Sequence, residues 1–155
     1  MAADSIDSRL VESFLFAIYK SMHASMGDAA AGLMRQAAPD FLWGMEFLGV
    51  KFDGKDVATL AQQITDAAKG GGLIDRLEFK QEGHTLVAEG YGCALHNMTE
   101  QLEKLGIGTF GCPFLAVTIA CAEKKLNMRA RLKKFEHAAN GPSNCRMTME
   151  LFPKD

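Results

Sequence analysis

MRARLKKFEHAANGPSNCRMTMELF, residues 128–152, alternates apolar and polar side chains on both sides of a turn. Before the turn, Met128, Ala130 and Leu132 alternate with basic residues. After the turn at Asn140-Gly141-Pro142, a second apolar set alternates with polar residues: Cys145, Met147, Met149 and Leu151. A period of two is typical of a strand with one buried face. The stretch therefore predicts an antiparallel hairpin that contributes one face to the core.

Upstream of this hairpin, the first 70 residues have helical rather than strand-like periodicity. Apolar residues recur every four positions over residues 5–26, which predicts an amphipathic helix. An Ala-rich second helix is expected to end at Pro39. The apolar residues 41–48 lack a clean period and are interpreted as a short packed segment or helix. Asp56 is expected to cap a third helix, which ends at the glycines of residues 70–72.

Alternation returns at residues 74–80 and 85–91, which predict a hairpin joined through Glu82-Gly83. Two further helices follow, one with an apolar seam from Leu95 to Leu105 and one that starts after Cys112. The sequence thus predicts an α+β protein: N-terminal helices packed on an antiparallel sheet built from two hairpins that helices separate. The length of 155 residues predicts a single domain over residues 1–155.

Composition excludes several classes of function. The formal net charge is −2, which provides no basic footprint for nucleic acid or an anionic membrane surface. The first residues do not combine a basic region with a continuous apolar stretch, so we expect no secretory signal, and no window of about 18 apolar residues predicts membrane insertion. We therefore expect a cytoplasmic protein, in which the four cysteines stay reduced and serve as free thiols or metal ligands.

Nine methionines and ten phenylalanines indicate either a Met-rich core or an adaptable apolar pocket. The second interpretation predicts an apolar small molecule between helices and sheet. Its predicted wall residues, with Cys112 at the mouth, are Phe110, Phe114, Met98 and Met147.

Cys112 precedes Pro113, and proline favours the first position of a helix. The cysteine is thus placed at the N-cap, where backbone N–H groups and the helix dipole would lower the pKa of an accessible thiol. The alternative is a small buried residue beside a turn. Cys121, nine residues later, is out of phase with Cys112 on a straight helix and is expected to pack in the core.

Cysteines and histidines also allow a metal site. Cys93 and His96 are three residues apart, a spacing that places them on one helix face. His137 and Cys145 flank the last turn. A zinc site from Cys112, Cys145, His137 and either Cys93 or His96 is chemically plausible. An iron–sulfur site held by the four cysteines is the less favoured alternative.

Motifs of several enzyme classes are absent. The sequence contains no dinucleotide-binding G-x-G-x-x-G after a strand, no P-loop, no H-E-x-x-H and no G-x-S-x-G. Its carboxylates are scattered, and no pair can be assigned acid and base roles. The absence of these motifs therefore favours a binding domain over an enzyme, but it does not exclude catalysis.

GCPFLAVTIACAEKKLNMRARLKKFEHAANGPSNCRMTMEL, residues 111–151, resembles the closing segment of the 4-vinyl reductase-like, or hydrocarbon-binding, domain family. Cys112, Glu136, Gly141 and Cys145 stand at positions that match its pattern. The resemblance implies the fold of the superfamily that includes nitric-oxide sensors and Golgi-transport tethering subunits. Because the Y-x-S-x-R haem signature is absent, the resemblance does not imply haem.

From this resemblance, the leading hypothesis is a domain that binds or senses an apolar small molecule, with homodimerisation expected. One alternative is an enzyme or maturation factor that acts on a tetrapyrrole-like or sulfur-containing substrate through Cys112 or a bound metal. A further alternative is a dimeric scaffold or interaction module in which the Met-rich helices of residues 5–34 form the subunit interface.

Overall fold

The computed structural model describes residues 7–107 and 112–155. Helices and strands follow in the predicted order, which confirms the α+β class. The helices are α1 (Ser8–Met26), α2 (Ala29–Phe47), α3 (Val57–Gly70), α4 (His96–Lys104) and α5 (Pro113–Lys125). The strands are β1 (Arg76–Glu82), β2 (Thr85–Tyr91), β3 (Met128–His137) and β4 (Cys145–Pro153).

The two hairpins join into one antiparallel sheet with the strand order β1-β2-β4-β3. Strand β2 pairs with β4, so Ala88 lies opposite Met147 and Leu86 lies opposite Met149. All four of these side chains are buried in the main hydrophobic core. Helices α3 and α5 pack on this face and α2 packs against α5, whereas the other face carries ion pairs such as Arg146 with Glu89 at 2.6 Å.

Helix α2 corrects the prediction that Pro39 ends the second helix. The helix continues through Pro39 to Phe47 and includes nearly all of the apolar segment 41–48. Ala38 and Leu42, on either side of the proline, are both buried in the main core. Burial of these neighbours compensates for the backbone hydrogen bond that a proline cannot donate.

Strand β3 contains an irregularity that places Phe135 and His137 on the inner face of the sheet. The register with β4 shifts between Leu132 and Lys134, as in a β-bulge. Before the shift, Ala130 faces the core opposite Leu151. After it, the odd-numbered residues take the inner face, so that His137 lies opposite the buried Cys145.

A second, smaller hydrophobic cluster joins α1 to α4, with Tyr19 of α1 packed among Leu95, Met98, Leu102 and Ile107. The face of α1 that carries Leu10, Phe14 and Ile18 is exposed instead. Within the described ranges, no helix is both long enough and apolar enough to span a bilayer.

Candidate functional site

Two spaces meet at the start of α5. The first, which we call the inner cavity, has a volume of about 30 Å³ and lies between α4, the start of α5 and the ends of β3 and β4. Its walls include seven of the residues that the sequence singled out: Cys93, His96, Met98, Cys112, Phe114, His137 and Cys145. The fold thus brings together side chains from four separate segments of the chain.

The second space, which we call the outer cleft, has a volume of about 460 Å³ and lies between α1, α2 and α5. It shares Leu95, Cys112 and Pro113 with the inner cavity. Among its described lining residues, only Tyr19, Asp40 and Cys112 carry polar side-chain atoms. Pockets that bind small molecules are commonly of this size and composition, with a few polar groups that fix orientation.

Cys112 occupies the N-cap of α5, as predicted, but its environment does not favour a thiolate. Burial, reinforced by the nearby Cys145 and Cys93 thiols, raises the pKa of Cys112 to about 12. Hydrogen bonds from the backbone of Leu115 and Phe114 act in the opposite direction and are outweighed. The Cys112 residue is partly exposed, but the desolvation of its thiol outweighs the effect of the backbone N–H groups at the helix N-terminus.

A backbone hydrogen bond holds Cys93 close to the turn before Cys145, and the two thiols are near enough to interact electrostatically. The Cys93 N–H donates to the Ser143 carbonyl at 2.9 Å, which ties the β2–α4 connection to the turn before β4. Gly90 lies opposite Cys145, and a Cβ atom there would approach the Cys145 Sγ to 3.0 Å. Burial raises the pKa of Cys145 to about 11 and also raises the pKa of Cys93. All three thiols at the inner cavity are therefore neutral at physiological pH.

Two imidazoles complete the inner cavity. The rings of His96 and His137 lie 6.2 Å apart between centroids and are nearly parallel. The Nδ1 of His137 is 3.1 Å from Oε2 of Glu103. His96 Nδ1 and His137 Nε2 are buried and have no hydrogen-bond partner among the described residues.

The remaining predicted site residues lie elsewhere. Met147 is fully buried in the main core and is not among the lining residues of the inner cavity. Phe110 lies outside the described residues. Cys121 packs in the middle of α5, where burial raises the pKa of its thiol to about 12.

Sequence reasoning did not identify Tyr19, Leu95 and Phe135 as lining residues. Tyr19 is not part of the four-residue apolar repeat of α1, so the repeat did not predict that this side chain faces the cleft. Burial and the proximity of Cys112 raise the pKa of the Tyr19 hydroxyl to about 12. Phe135 reaches the inner face only because of the bulge in β3, which simple alternation does not reveal.

The thiols and imidazoles of the inner cavity are also the donors that the sequence suggested for a metal. In the part of the chain that the structure describes, no three His, Cys, Asp or Glu side chains are grouped closely enough to hold one ion. The zinc site of Cys112, Cys145, His137 and Cys93 or His96 therefore stays a prediction.

No model of a known protein family matches the sequence, and no curated protein matches it either. Solved structures do match, among them the crystal structure of the phenol-responsive sensory domain of the transcription activator PoxR with phenol. The TM-score is 0.53 at 12% sequence identity, and the match covers 94% of this chain and 75% of that chain. At this identity the likeness establishes a shared fold and nothing more specific.

Proposed function

We propose that this chain is a domain that binds an apolar small molecule in the outer cleft, which shares the lining residues Leu95, Cys112 and Pro113 with the inner cavity. The observation that carries the proposal is the outer cleft itself, about 460 Å³ in volume and lined mostly by carbon atoms of three helices. Single exposed apolar side chains are ordinary on protein surfaces, whereas a concave apolar space beside converging polar groups is typical of a binding site.

The solved structure with the same fold supports this proposal, because it is that of a phenol-responsive sensory domain with phenol. We also propose that the domain acts as a sensor and that it belongs to the 4-vinyl reductase-like family. The family assignment is supported by the resemblance of residues 111–151. The raised pKa of Cys112 argues against an enzyme that uses this thiol as a thiolate nucleophile.

The test uses two uncharged probes, 2-methoxynaphthalene and N-phenyl-1-naphthylamine, in titrations followed by fluorescence and by thermal denaturation. We expect saturable binding of one probe molecule per chain. Ala116→Leu adds three carbon atoms to the wall of the outer cleft and should weaken binding at least tenfold. The matched control, Ala24→Leu, adds the same atoms at an exposed position of α1 and should leave binding unchanged.

Equal binding by both variants, or no saturable binding of either probe, would contradict the proposal. Circular dichroism of Ala116→Leu distinguishes a filled cleft from a misfolded chain, because the filled variant retains the spectrum of the parent protein.

We further propose that the chain forms a homodimer through α1. Leu10, Phe14 and Ile18 recur at four-residue intervals on this helix, and Phe14 is 65% exposed. A second copy is the partner that such a stripe fits, since the same stripe can pair with itself about a two-fold axis. On α2, the stacked rings of Trp43 and Phe47 add to the exposed apolar surface.

A further inference from the structure

Strand β1 is one of the two edges of the sheet, and its outer side is open. Glu82 and Thr85 flank the two-residue turn between β1 and β2, so they exchange both backbone hydrogen bonds with each other. Because these bonds alternate along an antiparallel pair, the N–H and C=O groups of Leu77, Phe79 and Gln81 point away from β2. Three residues of β1 therefore present backbone donors and acceptors at the edge of the sheet.

These backbone groups have few partners within the chain. The Leu77 carbonyl accepts a hydrogen bond from the Thr65 hydroxyl of α3 at 3.3 Å. Within the described ranges, the backbone groups of Phe79 and Gln81 have no protein partner. A row of unpaired N–H and C=O groups on an edge strand is a template for pairing with another strand.

The opposite edge of the sheet, β3, is protected against such pairing. The bulge after Leu132 interrupts it, and the exposed Arg129 and Arg131 would repel the same residues of a second copy. Strand β1, in contrast, pairs with β2 in one unbroken register and contains no proline. Of the two edges, β1 is thus the one that is regular enough to accept another strand.

The charged side chains of β1 identify the partner. Arg76, Glu78, Lys80 and Glu82 alternate in sign on the outer face of the sheet. In an antiparallel pair of two β1 strands related by a two-fold axis at Phe79, Arg76 lies opposite Glu82 and Glu78 lies opposite Lys80. Cross-strand pairs of opposite charge stabilise a sheet, and like charges destabilise it. An alignment shifted by two residues would place Arg76 opposite Lys80, so the charges favour one register.

The same alignment satisfies the backbone groups and the inner face. It places Phe79 opposite Phe79 and Leu77 opposite Gln81, which are the residues with open N–H and C=O groups. On the inner face, a groove of about 450 Å³ lies between β1 and α3, with Ala61 and Thr65 in its wall. The groove provides space for inward-facing side chains of the second strand, and two adjacent aromatic rings add to the pairing.

We infer that β1 pairs with β1 of a second copy of this chain, so that two four-stranded sheets join into one continuous sheet. Helix α1 packs on α2 and α4, whereas β1 packs on β2 and α3, so this surface is separate from the apolar stripe of α1. The open backbone groups already bond to water, and exchange of these bonds gives a small net gain. The contact therefore forms at higher concentration than the α1 dimer and joins two such dimers.

Hydrogen–deuterium exchange of the parent protein, followed by NMR, tests the inference directly. Exchange of the Phe79 and Gln81 amide protons should be at least tenfold slower in a concentrated solution than in a dilute one. The amide protons of Glu78 and Lys80, which bond to β2, are internal controls and should exchange equally in both. Sedimentation equilibrium should give a mass above that of two chains only in the concentrated solution.

Two charge reversals and their combination test the register. Glu78→Lys and Lys80→Glu each place like charges opposite each other across the two-fold axis and should abolish both concentration effects. The double variant restores opposite charges and should regain the effects. The single variants change the net charge in opposite directions, so a general charge effect cannot account for both losses. Glu78 lies opposite Glu89 within the chain, and Lys80 is exposed, so neither reversal should disturb the fold.

A substitution of the backbone donor tests the pairing without a change of charge. Gln81→Pro removes an N–H on the open side of β1, where an edge strand tolerates proline, and should abolish the association. Gln81→Ala removes the same side chain but keeps the N–H, and it should associate like the parent protein. Circular dichroism checks that both variants retain the fold.

Exchange rates that do not change with concentration would overturn the inference and leave the ligand site and the α1 dimer untouched. Slow exchange of the Phe79 and Gln81 amides already in dilute solution would overturn it as well, because another part of the same chain would then cover the edge. A double variant that associates no better than the single variants would contradict the antiparallel alignment about Phe79.

Discussion

Cys112 is the residue at which local sequence and tertiary environment act in opposite directions. The N-terminus of α5 favours the thiolate through backbone N–H groups, but burial favours the neutral thiol and dominates. The thiols of Cys145 and Cys93 add to the effect, since a second negative charge nearby would be unfavourable. A neutral, polarisable thiol is suited to contact an apolar ligand.

The raised pKa of Cys112 predicts sensitivity to alkaline pH. The thiol pKa is about 12 in the folded protein against 9.0 for an unperturbed thiol, so the folded state holds the proton more tightly. The stabilisation is complete below about pH 9 and is lost as the pH rises toward 12, at most about 1.4 kcal/mol per pH unit for one proton. Urea unfolding of Cys112→Ser should show a shallower loss of unfolding free energy between about pH 8.5 and 10.5 than the parent protein.

Ser143→Ala is the control for this measurement, because it alters a lining residue of the same cavity without removing a thiol. Its pH dependence should match that of the parent protein. If the unfolding free energy of Cys112→Ser fell with pH as steeply as that of the parent protein, the Cys112 thiol would not contribute to the alkaline sensitivity.

Gly92, directly before Cys93, has a backbone conformation that only glycine adopts without strain. Its φ is +66°, and a Cβ atom there would overlap the Asp75 side chain. Gly83 has a similar φ of +58° but open space around it. In urea unfolding, Gly83→Ala should cost about 1 kcal/mol from backbone strain, and Gly92→Ala should cost about 1–3 kcal/mol more. Equal losses of unfolding free energy in the two variants would mean that the Asp75 side chain moves aside at no cost.

The N-terminus of α4 is capped by a residue of another helix. Its own N-cap, Leu95, makes no side-chain cap hydrogen bond. Instead, the Met98 N–H donates to Oε1 of Glu12, an α1 residue that is only 8% exposed. A carboxylate near a helix N-terminus is also favoured by the helix dipole. Glu12 thus links α1 to the helix that carries His96 and Met98 of the inner cavity.

Removal of this interhelical cap should be costly. Glu12→Leu leaves the Met98 N–H without its acceptor and should lower the unfolding free energy by about 1–3 kcal/mol, measured by urea denaturation. Glu12→Gln retains an acceptor oxygen and should cost less than about 1 kcal/mol. The control Ser13→Leu places the same leucine at the neighbouring, exposed position of α1. If Glu12→Leu were no more destabilising than the control, the capping role would be wrong.

In the molecule as a whole, the outer cleft lies between the two hydrophobic clusters, because its lining includes Ala38 of the main core and Tyr19 and Leu95 of the smaller cluster. The main core lies between the sheet and α2, α3 and α5, whereas the smaller cluster around Tyr19 and Leu95 joins α1 to α4. The outer cleft is bounded by α1 on one side and by α2 and α5 on the other. Contacts of α1 with a second molecule would therefore affect one wall of the outer cleft.

Dimerisation through α1 is tested by sedimentation equilibrium. The parent protein should have twice the mass of the chain, and Phe14→Glu should be monomeric because a charge in the apolar stripe cannot be buried without a partner. Lys20→Glu changes the charge of the same helix at an exposed position outside the stripe and should leave the dimer intact. A parent protein that remains monomeric at its highest soluble concentration would contradict the proposed dimer.

Much of the fold was predictable because its signals are local. Alternation of period two identified all four strands. Asp56 caps α3 by accepting a 2.8 Å hydrogen bond from the Thr59 N–H, and Cys112 precedes α5, both as expected. The exception was Pro39, where burial of Ala38 and Leu42 outweighed the local preference of proline to end a helix.

The sequence by itself determined the class of fold, the order of its elements and the residue types available for a site, because periodicity and capping depend on near neighbours in the chain. Only the tertiary structure decided which side chains meet. The pairing of β2 with β4 and the shift of register after Leu132 set Phe135 and His137 beside Cys145, and the docking of α1 added Tyr19. The tertiary structure also decided the protonation state of the Cys112 thiol, because a thiol pKa depends on burial and on neighbours that are distant in sequence.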